Sequence, residues 1–183
     1  MAQTPLVQPL ILARLRWPIF EPLISIKVLE TDHESTSAPT TWRNLFENPH
    51  HSLAAESITE PPTSRMLVNC DDVHRHDYWA DAEDYDSRPR SLLIENLDGK
   101  PISVGQFVEK VHAYLGGMKD LMWDLFGLLK DEQTRMWVAR VSAPDPGDDN
   151  VYSVGLVWDN QLDQHWENNM RLLRAAAAEA TTL

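Results

Sequence analysis

The chain has 183 residues, with 28 acidic and 16 basic side chains and a formal net charge of −12. That length suits one domain with a core of its own, needing neither disulfide nor metal to fold, and the single cysteine, Cys70, excludes an internal disulfide. No run of about 18 apolar residues is present, and the acidic balance argues against nucleic-acid backbones and anionic lipid as partners.

Arg14 and Arg16 cut short the apolar run Pro9–Ala13, and Pro18 and Pro22 break the stretch again. A secretory leader places its basic residues before an uninterrupted apolar run, so this order does not fit one. The carboxyl end, Thr181-Thr182-Leu183, carries no retention or lipidation signal. The expected address is therefore cytoplasmic. Leu10–Val28 reads as an arm packed on the core, with a strand near Ile24–Leu29.

Residues 31–64 are rich in Thr, Ser, Pro and Asn and read as irregular. A short helix is expected at Trp42–Glu47, and Pro61-Pro62 imposes extension. Arg65–Cys70 reads as a strand between turn formers. Residues 71–90 are polar and read as a long loop. Within 71–86, seven acids face Arg75 as the one basic residue.

Ser91–Leu97 is the next strand, and Asp98-Gly99 is a strong turn signal, since glycine accepts positive φ without steric cost. Lys100–Ile102 offers a short returning arm. Ser103 with Gln106 three residues later is a capping-box pattern. Val104, Phe107, Val108, Val111 and Leu115 then mark one helical face, ended by Gly116-Gly117. A second helix follows over Met118–Lys130, so that the two form an αα-hairpin. Arg135–Val141 and Val151–Trp158 read as a hairpin with an acidic tip at Ala143–Asn150. Asp163–Ala180 is the last helix, with Trp166, Met170, Leu173 and Ala177 on one face and strong helix propensity in Ala175–Ala178. Strands and helices mix without βαβ alternation, so the expected class is α+β. The expectation is one domain over 1–183, a small mainly antiparallel sheet packed against the αα-hairpin and the C-terminal helix.

The densest chemistry lies in Cys70-Asp71-Asp72-Val73-His74-Arg75-His76-Asp77. His74, His76 and Asp77 are candidate ligands for a divalent metal such as zinc, because neutral imidazoles beside carboxylates suit it. The spacing lacks the further glutamate or histidine of familiar His-x-His metal sites. The plainer reading is a solvated loop whose acids keep exposed histidines protonated. His76 and Asp77, with His112 on the first helix, are the candidate acid–base catalysts if the chain is an enzyme. An acid-rich surround disfavours the thiolate of Cys70 as a nucleophile.

Tryptophan is frequent, at seven residues. Most are expected in the core, while some line a groove or surface for a ligand or partner. Trp79 is the one expected to be exposed. Together with Tyr78, Asp81, Glu83, Asp84 and Tyr85 it forms an acidic aromatic loop suited to gripping a cationic segment. Phosphate loops, nucleophile elbows and Cys-x-x-Cys pairs are missing from the sequence.

Glu60–Leu67, Leu93–Asn96, Pro101–Val108 with His112 and Leu115, and Val154-Gly155-Leu156 with Trp166 together resemble an uncharacterised fungal family, a domain of unknown function, over roughly residues 55–170. The resemblance implies a compact intracellular domain and transfers no catalytic residue; the acidic loop at 71–86 departs from it.

The leading expectation is a binding domain without a cofactor, using loop 71–86 on a protein partner with a basic surface. The alternative is a small enzyme, either metal-dependent or a cofactor-free isomerase, cyclase or hydrolase acting on a small apolar ligand. Self-association into a homodimer through the Ala-rich C-terminal helix is a further expectation.

Overall fold

The computed structural model describes residues 4–30, 41–75, 79, 88–127, 135–144 and 151–180. The N-terminal arm is clipped down at its start. Strand β1 (Leu6–Val7) pairs antiparallel with β5 (Thr59–Glu60), and the Tyr152 hydroxyl donates to the Pro5 carbonyl at 2.8 Å. Pro9 then opens a short helix, α1 (Pro9–Ala13), where its missing N–H costs nothing. Ile11 and Ala13 point from it into the core.

The core-packing arm is thus partly helical. Its strand starts later than the sequence predicts: Leu23–Ser25 forms a 3-10 turn, and β3 spans Lys27–Glu30. β3 lies between β2 (Leu15–Arg16) and β4 (Thr41–Asn44), both antiparallel to it. The helix expected at Trp42–Glu47 is therefore a strand followed by a turn. Pairing to β3 and burial of Leu45, whose N–H reaches the Ile26 carbonyl, outweigh the weak local helical pattern.

The larger sheet runs β7-β6-β9-β8. β6 (Arg65–Cys70) and β9 (Val151–Trp158) match the predicted spans, while β8 (Met136–Ser142) and β7 (Leu92–Glu95) are shifted or trimmed at their ends. β6 and β9 are parallel, and the other two pairings are antiparallel. The far edge of β8 is taken by the segment after β2. Ile19 N–H donates to the Met136 carbonyl and Val138 N–H to the Trp17 carbonyl, each at 3.0 Å. Trp17–Ile19 thereby splices the two sheets together.

Helix α3 (Val104–Gly117) starts as its cap predicts, with the Ser103 hydroxyl accepting the Gln106 N–H. Gln106 does not reach back to complete the box. Its amide pairs with the Asn96 amide instead, through Nε2 to Oδ1 at 2.6 Å and Asn96 Nδ2 to Oε1 at 3.1 Å. Asn96 also donates to the Lys100 and Pro101 carbonyls and so fixes the turn at Gly99, whose φ is +75°. The arm Lys100–Ile102 pairs elsewhere than on the preceding strand: Ile102 N–H bonds to Thr63, and its carbonyl accepts from Ile58.

The predicted stripe of α3 is fully buried, Phe107, Val108, Val111 and Leu115 alike. Each such side chain contributes about 1.5–3 kcal/mol by leaving water. α3 ends at Gly117, but neither glycine there takes positive φ; the helix passes through Met118 into α4 (Lys119–Leu125). The positive φ belongs to Gly127, just after α4, and residues 128–130 of the predicted helix lie outside the described residues.

Helix α5 (Leu162–Ala180) packs mainly on α1, with a half-buried stripe at His165, Trp166, Asn169, Met170, Leu173 and Ala176. Ala177, predicted on that face, is exposed. The architecture is α+β. Among the described residues, no helix is long and apolar enough to cross a membrane.

Candidate functional site

The predicted loop at 71–90 begins as a helix. α2 (Asp71–His74) follows β6 directly, with two acids in its first turn where the helix dipole favours them. The change of direction ends the β6–β9 ladder at Cys70↔Val154. Leu156 N–H, further along β9, is then served by a side chain: the Asp72 carboxylate accepts it at 2.8 Å. Asp71 holds two guanidinium groups, Arg75 at 2.7 Å and Arg140 at 3.1 Å. Arg140 lies across Gly155, where a Cβ would meet its Nε at 2.9 Å. These acids therefore bind the α2 corner to the sheet.

His74 departs from the exposed, protonated histidine that the plainer reading expects. It is 8% exposed, and its Nδ1 lies 2.9 Å from the Cys70 carbonyl. Burial lowers its pKa, outweighing the hydrogen bond to Cys70, so the ring is neutral and Nδ1–H is the donor. Its Nε2 is buried and makes no hydrogen bond of normal geometry, although the Pro89 backbone lies close enough to favour the protonated ring.

Trp79 is also not exposed as the sequence suggested. It is 6% exposed, and its indole N–H donates to the Val73 carbonyl at 2.7 Å. Arg88, on the other side of the acidic stretch, donates to the His74 carbonyl at 3.3 Å. The other side chains expected as ligands or contacts, namely His76, Asp77, Tyr78, Asp81, Glu83, Asp84 and Tyr85, lie outside the described residues.

Cys70 is fully buried, and its thiol pKa is pushed up to about 12. Burial is the main cause, with the charges of Asp72 and Asp71 adding to it and N–H groups of α2 opposing. The local acids named in the sequence reading are thus the smaller influence.

His112 sits on α3 beneath Trp17, whose indole N–H donates to its Nδ1 at 3.3 Å. Burial lowers its pKa, against a smaller opposing hydrogen bond that the ring donates to the Glu21 carbonyl. The lone pair that a general base would use already accepts a proton donor. His165 is likewise lowered by burial and lies 3.1 Å from the Asn169 amide.

One polar pair escaped the sequence reading. His51, from the turn after β4, accepts the Leu53 N–H at Nδ1 (3.1 Å) and sets Nε2 3.0 Å from Glu30 of β3. Arg43 grips both Glu30 and Glu47. Twenty-one positions separate His51 from Glu30, and pairing of β3 with β4 supplies the proximity. Among the described residues, no three His, Cys, Asp or Glu side chains converge as a metal site.

Comparison with known proteins finds no matching family model, no matching curated protein and no matching solved structure.

Proposed function

We propose that this chain is an intracellular binding domain that engages a partner with a basic surface through the acidic aromatic segment 71–86. One observation carries the reading: Trp79 and Arg88, on either side of the segment's acidic second half, are anchored on neighbouring carbonyls of α2. Trp79 holds Val73, and Arg88 holds His74. Asp81, Glu83, Asp84 and Asp86 lie in sequence between these anchors. Anchor points already fixed on α2 before a partner arrives reduce the ordering cost of binding. The acids gathered there attract a cationic partner and speed its encounter at low salt.

The test is titration of the full chain with an arginine-rich peptide at low and at moderate salt. Wild type binds saturably, and charge reversal with D81K, E83K and D84K weakens binding by about thirtyfold or more at low salt. Unchanged affinity in the reversed protein overturns the reading.

A second reading has its own support. A histidine that donates Nδ1–H to a backbone carbonyl and has no hydrogen bond of normal geometry at Nε2 has the arrangement that outer-shell contacts give metal ligands, although the Pro89 backbone lies near this ring. His74 meets that description, and His76 and Asp77 follow it in the chain. A zinc titration followed by calorimetry separates the two readings. Stoichiometric binding lost in His74→Ala favours a metal-dependent catalyst, and no binding removes it.

A further inference from the structure

Arg16, on β2, lies among three indoles from three other elements. Its guanidinium carbon is 5.3 Å from the ring centre of Trp42 on β4, 5.7 Å from Trp166 on α5 and 6.0 Å from Trp137 on β8. Trp42 and Trp166 are themselves 4.7 Å apart. Such contacts hold the guanidinium charge against the rings and still leave its N–H groups to find acceptors. Among the described residues Nε finds none, and it is buried with no hydrogen-bond partner. Among the described residues no carboxylate lies within ion-pair distance of Arg16, although the chain carries 28 acids.

The cross-strand register adds a second cation. Arg16 pairs with Lys27, and Lys27 with Asn44, so these three side chains share one face of the small sheet. Lys27 also has no carboxylate partner among the described residues. Elsewhere on the fold Arg43, Arg65, Arg75, Lys100, Arg135 and Arg140 all meet acids. Two cations without acid partners among the described residues and an amide therefore share one sheet face, with Arg16 walled by indoles, in a strongly acidic protein.

We propose that this face binds a small organic acid, its carboxylate meeting the Arg16 fork and Lys27 while a flat apolar body rests against Trp42 and Trp166. A guanidinium held in place presents its donors in the geometry a carboxylate accepts. A single negative charge suits the site better than a phosphate dianion, because the net charge of −12 opposes each added charge. The site belongs to β2, β3, β4 and α5, and does not depend on the segment after α2.

The test uses the full chain and sodium benzoate, read by the indole N–H resonances in a two-dimensional NMR titration, with neutral benzamide as the control. Benzoate should shift the Trp42 and Trp166 signals saturably and leave buried Trp79 unmoved. Benzamide should bind at least about tenfold more weakly, as expected when a charge-assisted bond is lost. Arg16→Gln should abolish saturation. Lys27→Gln, at an exposed position, should weaken benzoate about threefold and serves if the Arg16 variant fails to fold. Absence of saturable shifts, equal response to benzamide, or unchanged affinity in Lys27→Gln overturns the proposal. Charge reversal at Asp81, Glu83 and Asp84 should leave benzoate binding in place, which separates failure of this site from failure of the binding segment.

Discussion

The indole N–H of Trp17 donates to Nδ1 of His112 at 3.3 Å, so a partly buried hydrogen bond fixes which nitrogen of that ring stays unprotonated. Protonating Nδ1 would turn the acceptor into a donor facing a donor. Burial lowers the pKa of His112, as it does for His74 and His165. In the unfolded chain the three titrate near 6.5. As pH falls below that value the unfolded state takes up protons before the folded state does, so stability is retained above it and lost progressively beneath it. Urea midpoints should therefore drop between pH 7.5 and pH 5.5, and His112→Gln should reduce the drop. A flat profile across that range would refute the assignment.

Gly105 near the start of α3 packs directly against the backbone of Ala54. A Cβ there would lie 3.0 Å from the Ala54 carbonyl oxygen and 3.2 Å from the Ala54 Cβ. Alanine normally gains up to about 1 kcal/mol over glycine in a helix. Here the crowding is against backbone, and overpacking of this kind costs about 1–3 kcal/mol. Gly105→Ala should thus destabilise, as thermal unfolding will show, whereas the same change at Gly116, with open space around it, should be neutral or stabilising.

Trp79 separates anchoring from recognition. Trp79→Phe keeps a ring but removes the donor to Val73, and should cost about 1–2 kcal/mol. Trp79→Ala removes the ring as well, and should cost about 3–5 kcal/mol. Peptide affinity should fall in both variants because the segment loses one anchor, even at temperatures where the rest of the chain is folded by circular dichroism.

Cys70 should resist thiol reagents. It is fully buried with a pKa near 12, so thiolate is scarce and inaccessible at neutral pH. Reaction with a disulfide reagent should be absent from the native protein and stoichiometric in denaturant; prompt native labelling would contradict the burial of β6's end.

Periodicity disclosed what depends on neighbours in sequence. The alternation in Arg65–Cys70 and Val151–Trp158 gave both strands their ends, and the apolar spacing in Val104–Leu115 gave α3 its buried stripe. Features built by distant pairing were hidden. Trp42 belongs to a strand because β3 lies beside it, and Gln106 leaves its cap because Asn96 is within reach. The α2 corner did leave a local sign, since Asp71 and Asp72 suit a helix start. The apparent openness of Trp79 came from its polar neighbours in sequence, but a single indole six positions beyond Val73 turns inward to serve that carbonyl. The Arg16 enclosure draws on strands β2, β4 and β8 and on helix α5, so no window of sequence contains it.

The segment Trp17–Ile19 is a seam whose stitches are the amides of Ile19 and Val138. Neither β-layer can melt while those two bonds persist, so the layers should open together rather than one after the other. Native-state hydrogen exchange at these amides should report the same opening free energy as the interior amides of β3 and β9. The chain would then yield to denaturant in one cooperative step, despite the separate strand groupings that compose it.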